Sequence, residues 1–173
     1  MKKKYKHTKQ IITILNNIYN NPTTDLIHNS PYQLLIATIL SAQCTDKQVN
    51  AITPQLFTTY SNPHSLANAN TEEIENIIHS TGFYHNKAKN IIGCANGLIE
   101  NYSGEVPLVM EDLVTLSGVG RKTANCILSV YGETVGIVVD THVIRLSNLL
   151  GFTKSKNAIK IEEELMEIID KKD

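Results

Sequence analysis

The sequence predicts an all-α fold, on three observations. Apolar residues recur at spacings of three and four through most of the 173 residues. Capping residues and N1 prolines precede several of those stretches, and glycines close them. The one β-branched run, Val135 to Val139, has no partner run with which to make a sheet and reads as an extended connector. A chain of this length buries about 70% of its unfolded surface, enough for one ordinary domain or two small ones.

The elements follow in order. From Lys9 to Tyr19, Ile11, Ile14, Leu15 and Ile18 form one apolar stripe, the first helix. Ser30 supplies a cap and Pro31 an N1 proline ahead of Leu34, Leu35, Ala37, Ile39 and Leu40, a surface so broadly apolar that a central helix is expected. Thr45-Asp46 caps a third helix carrying Val49, Ile52, Leu56 and Phe57, in which Pro54 must introduce a kink or begin a second segment. Asn70-Thr71-Glu72-Glu73 reads as a capping box, opening a helix through Ile74, Ile77 and Ile78 that ends at Gly82. A fifth helix runs from about Lys87 to Tyr102. Leu113 and Leu116 form a short helical turn, Gly118-Val119-Gly120 interrupts it, and Thr123 to Tyr131 resumes helical spacing. Thr141 to Leu150 and about Asn157 to Ile169 are the last two helices, which together predict a helical bundle.

Composition excludes several classes. Hydrophobic residues make up 42% and charged residues 19%, so a disordered chain is not expected. No apolar run approaches the roughly 20 residues that span a bilayer, and no membrane partner is expected. The basic start, Lys2, Lys3, Lys4 and Lys6, lacks a cleavage signature behind it, so a cytoplasmic, nucleoid-associated protein is expected. Cys44, Cys94 and Cys126 lie far apart with no C-x-x-C pair, which gives neither a disulfide framework nor a metal-ligand spacing. With a net charge of −1 and a pI near 6.6, a globally basic nucleic-acid binder is excluded, although Arg121 and Lys122 stand together in a stretch free of acids.

That stretch carries the chemistry. Two short helices joined by a hairpin place Gly118 and Gly120 where the backbone must turn sharply and approach another chain closely, while Val119 plugs the hairpin into the core. The amides at the start of the following helix favour an anion such as a backbone phosphate. A nucleotide-binding P-loop does not fit, because glycine would be needed directly before Lys122 and again five positions earlier, where Arg121 and Leu116 stand. Lys122 in its uncharged form is a nucleophile able to make a Schiff base, and a helix N-terminus beside Arg121 opposes its charged form. Asp140, after an apolar connector and before a new helix, reads as an N-cap.

Leu116-Ser117-Gly118-Val119-Gly120-Arg121-Lys122-Thr123-Ala124, followed by Val139-Asp140-Thr141-His142-Val143-Ile144-Arg145, resembles the helix-hairpin-helix and catalytic-aspartate signature of endonuclease III, a family of bifunctional DNA glycosylases and abasic-site lyases. The similarity extends upstream through Ser30-Pro31-Tyr32-Gln33-Leu34, Leu40-Ser41-Ala42-Gln43-Cys44-Thr45-Asp46, Asn86-Lys87-Ala88-Lys89-Asn90 and Gly104-Glu105-Val106-Pro107, and so covers nearly the whole chain in order. The resemblance implies an all-α helix-hairpin-helix glycosylase fold, with a helical barrel over 22–132, its hairpin at about 113–128, and a partial second domain from 1–21 and 133–173. It implies removal of oxidised pyrimidines from duplex DNA by Lys122, with strand cutting by β-elimination. Asp140 would stabilise charge on the sugar. Gly118, Val119, Gly120 and Arg121 would grip DNA. Gln43 would fill the gap left by a flipped base, or serve only as a polar helix end; Phe83 would wedge the stack, or pack as a core aromatic. His142 is either a phosphate contact or a packed histidine.

Members of that family continue with a further helix and four cysteines that hold a [4Fe-4S] cluster. None of the three cysteines here falls in such a region, so no cofactor and no metal are expected in this chain. A shortened member is expected, monomeric unless the missing tail forces association, with apolar surface exposed at Ile11, Ile14, Ile161, Leu165 and Ile168. The alternative reading is a remnant that still binds DNA but catalyses weakly or not at all.

Overall fold

Short polar residues at helix starts set the boundaries of this fold. In the computed structural model, which describes residues 2–19, 23–133 and 135–170 and side chains from residue 7 onward, all regular structure among the described residues is helical and no strand forms. The N-terminal lysine run and the expected boundary at residues 21 and 22 lie outside the described side chains and residues. The helices are α1 (Lys2–Ile18), α2 (Pro31–Leu40), α3 (Asp46–Thr59), α4 (Pro63–Ala67), α5 (Thr71–Ile78), α6 (Tyr84–Tyr102), α7 (Met110–Leu113), α8 (Arg121–Tyr131), α9 (Thr141–Leu149) and α10 (Ala158–Met166), with a 3-10 turn at His79–Thr81.

Ser30 Oγ accepts from Gln33 N at 3.2 Å and Pro31 opens α2, as the sequence predicts. Leu34, Leu35, Ile36, Ala37 and Leu40 are fully buried, so α2 is the central helix of its unit, packed against α3, α6 and α8. Each of the leucine and isoleucine side chains contributes about 1.5–3 kcal/mol on leaving water. Thr45 caps α3, which runs on through Pro54 as one helix, so the proline begins no second segment. Buried Val49, Thr53 and Leu56 hold the helix together on both sides of the ring.

Two corrections concern caps. Helix α4 is absent from the sequence reading: five residues are too few for a periodicity, yet Asn62 Oδ1 accepts from Ser65 N at 2.9 Å and Ser65 Oγ accepts from Asn62 N at 3.3 Å, a complete capping box over buried Leu66. At α5 only half of the expected box forms. Asn70 Oδ1 accepts from Glu72 N at 2.8 Å, whereas the Glu73 carboxylate accepts from Tyr60 Oη at 3.0 Å.

The chain divides into two compact units, Thr24–Glu133 and Met1–Thr23 with Thr134–Asp173. The first holds α2 to α8 around the large core. In the second, Val139, Phe152, Ile161 and Leu165 are buried, with Ile11, Val143, Ile144 and Ile168 packed against them. This corrects which apolar residues are exposed, since Ile18, Leu149 and Ile159 face solvent instead. Ile161 and Leu165 are covered, Ile11 and Ile168 are half-buried, and of the five residues only Ile14, 56% exposed, faces solvent.

Candidate functional site

Between α7 and α8 the chain makes a tight hairpin anchored by Leu116 and Val119, both buried in the large core. Val119 N donates to Leu116 O at 3.1 Å. Gly118 has φ +76°, and a Cβ there would meet Asn90 Cβ at 2.8 Å, so conformation and space both require glycine. Gly120 differs from the expectation of a second forced turn. Its φ is −99°, which any residue adopts, and nothing lies within 4 Å of a Cβ placed on it. It is the N-cap of α8 and has no side chain of its own with which to cap the amides of the first turn. A helix start behind an open glycine suits an anion that approaches the backbone closely.

Arg121 and Lys122 are the first two residues of α8, and both are exposed. One turn on, Cys126 is half-buried with its thiol 3.9 Å from Thr38 Oγ1 of α2. Burial pushes that thiol's pKa up; the Thr38 hydroxyl and the positive charge of Lys122 work against the shift, while Asp46 adds to it. Lys122, Cys126, Thr38 and Asp46 therefore share one neighbourhood within the Thr24–Glu133 unit.

Asp140 and His142 belong to the other unit. Asp140 Oδ1 accepts from Val143 N at 2.8 Å, so the carboxylate caps α9, as the sequence predicts, and is half-buried. His142 is exposed in the first turn of α9, which removes the packed-histidine alternative.

Gln43 and Phe83 share a property that the sequence does not announce. Among the described residues, the non-glycine positions with positive φ are Gln43 at 53°, Phe83 at 50° and Ser103 at 55°. Ser103 merely ends α6. Gln43 is exposed in a turn closed by Cys44 N donating to Ser41 O at 3.0 Å. Phe83 is 66% exposed, so it is no core aromatic. Left-handed backbone at such residues costs about 1–2 kcal/mol each and persists where surrounding structure holds it.

Sequence reasoning missed Lys87. It is 4% exposed, and its Nζ donates to Thr81 O at 2.8 Å. A lysine reads as surface in any sequence; the only signal was its place beside Ala88 and Ile91 on the buried stripe of α6.

Other features lie elsewhere. A cavity of about 300 Å3 opens beside Ile27, Gln33, Pro54 and Phe57, and none of the expected site residues lines it. Among the described residues no group of three or more His, Cys, Asp and Glu side chains could hold a metal. Cys94 is buried in α6, Cys44 follows the Gln43 turn and Cys126 lies on α8, so these thiols do not fit the ligand set of a four-cysteine cluster. Among the described residues no helix is long and apolar enough to cross a membrane.

Comparison with known proteins identifies the family. The family described as HhH-GPD superfamily base excision DNA repair protein matches residues 36–171. Endonuclease III of Synechocystis sp. is 49% identical over 174 residues, spanning 100% of this chain and 80% of its own. A solved non-covalent endonuclease III–DNA complex superposes with a TM-score of 0.91 at 41% identity, covering 96% of this chain and 78% of that one. A trapped endonuclease III–DNA covalent intermediate gives 0.92 at 42% identity, with 96% and 79% covered.

Proposed function

The chain belongs to the HhH-GPD superfamily of base excision DNA repair proteins, and from that premise we propose that it removes oxidised pyrimidines from duplex DNA and cuts the strand at the abasic site it creates. The observation that carries the reading is the setting of Lys122, exposed at the start of α8 behind an open N-cap glycine. The relatives named for DNA complexes share this fold across nearly the whole chain.

The hairpin amides and Arg121 hold the backbone phosphates without reading sequence, and His142 adds a phosphate contact. The damaged nucleotide leaves the stack. Gln43 hydrogen-bonds the orphaned base, and Phe83 fills the step between neighbouring pairs. Uncharged Lys122 Nζ attacks C1′ of the sugar; the C1′–base bond breaks and the base departs with a proton. Opening of the ring leaves a Schiff base. Loss of a C2′ proton then expels the 3′ phosphate, and water frees the amine. The Asp140 carboxylate stabilises positive charge on the sugar and relays the proton from the amine. Every step exchanges protons and bonds alone, so the scheme calls on no redox group.

Sodium borohydride reduces a Schiff base to a stable amine. With a duplex carrying one abasic site, wild type should give a covalent adduct under borohydride, and Lys122→Gln should give none. A folded wild type that gives no adduct contradicts the proposal and leaves a protein that binds DNA without cutting it.

A further inference from the structure

We propose that Lys87 is the positioning residue that locks the Phe83 turn in the geometry that wedges the stack of the duplex, an inference that rests on the function just described. Phe83 holds a left-handed backbone while two-thirds of its side chain faces solvent, so its own packing does not pin it. Something behind it must. Lys87 is bound twice to this turn: its backbone N donates to Phe83 O at 3.1 Å as the first hydrogen bond of α6, and its Nζ reaches back to Thr81 O at 2.8 Å. The residues spanned, Gly82 and Phe83, both have positive φ.

Burial lowers the pKa of this amine. The 3-10 turn that carries Thr81 is itself tied to α3, since Gln48 Nε2 donates to Ser80 Oγ at 2.7 Å. A buried amine is costly unless it is hydrogen-bonded. Here it meets a carbonyl that would otherwise lose its partner beneath the exposed aromatic. An apolar side chain would fill the same space without holding that carbonyl, so the specific contribution of lysine is the hydrogen bond to the turn.

The test uses the full chain and Lys87→Met, with two readouts. Exchange of the Gly82 and Lys87 amides, which donate to His79 O and Phe83 O within this turn, should quicken at least about tenfold, while the amides of α8 keep their protection. Borohydride trapping on an abasic site should slow about tenfold or more in duplex DNA. It should change less than about twofold in single-stranded DNA, which has no stack to wedge. A general loss of fold would lower both together. In a Phe83→Ala background, Lys87→Met should cost less than about threefold further on duplex, because the two residues act as one device. Unchanged exchange, equal losses on the two substrates, or additive losses in the double variant would overturn the proposal. If Lys87→Met does not fold, Lys87→Gln carries the same comparisons, with exchange and duplex trapping intermediate between wild type and the expected loss; wild-type values for Lys87→Gln would overturn it. A wild type that forms no adduct on either substrate overturns the wedge role together with the catalytic reading, whereas the exchange arm still judges the anchor.

Discussion

Gly118 sits at φ +76° against Asn90, and Gly120, two residues on, has an ordinary φ and open space around it. Their substitutions should therefore separate folding from binding. Gly118→Ala is expected to lose about 1–2 kcal/mol from the left-handed backbone alone, and more from displacing Asn90, as read by chemical denaturation. Gly120→Ala should leave stability within about 0.5 kcal/mol. Its duplex affinity should nevertheless fall about ten- to a hundredfold, since a methyl group there blocks a backbone-to-phosphate hydrogen bond worth about 1.5–3 kcal/mol. Equal affinity for Gly120→Ala and wild type would remove Gly120 from the interface. Nothing in the letter G distinguishes the two positions; the φ of one and the neighbour of the other come from the folded chain. The Cys94 thiol has a separate consequence. Burial pushes its pKa up from 9.0 to about 12. The protonated thiol thus stabilises the fold fully below about pH 9, and that contribution is lost as pH rises toward 12. In Cys94→Ala the alkaline decline of stability should be shallower than in wild type across that window, and parallel declines would contradict the assignment.

At the scale of elements, Asp140 is at once the cap of α9 and the proposed charge partner of the sugar. Asparagine caps as well as aspartate, whereas alanine does not. Asp140→Asn should keep its melting temperature and lose most base excision, while Asp140→Ala should lose about 1 kcal/mol of stability as well. If Asp140→Asn retains full excision, the carboxylate serves only as a cap. Elements were legible in the sequence wherever a stripe and a cap coincided, as at Ser30-Pro31 for α2 and Thr45-Asp46 for α3. They were illegible where long-range contacts decide. Glu73 left its box because Tyr60, thirteen residues back, offers a hydroxyl. Pro54 did not divide α3 because buried residues flank it on both sides. Lys87 looked like any surface lysine because the Thr81 carbonyl that receives it lies in a turn formed only on folding.

For the molecule as a whole, a net charge of −1 leaves little long-range attraction for a polyanion. Affinity for undamaged duplex should fall with salt as only a few phosphate contacts dictate, and Arg121→Ala should reduce the slope of log K against log salt by about one. An unchanged slope would place Arg121 off the backbone. The second core shows where whole-chain properties escaped the sequence. Ile161 and Leu165 read as exposed on an unfinished layer, but Val139 from the connector and Phe152 from the loop after α9 are buried beside them. The proposed nucleophile is the claim on which the rest depends. After borohydride trapping on abasic duplex and proteolysis, mass spectrometry should find the reduced sugar remnant on the peptide that contains Lys122, and on that lysine alone; the same remnant on any other amine, with Lys122 unmodified, would contradict the account.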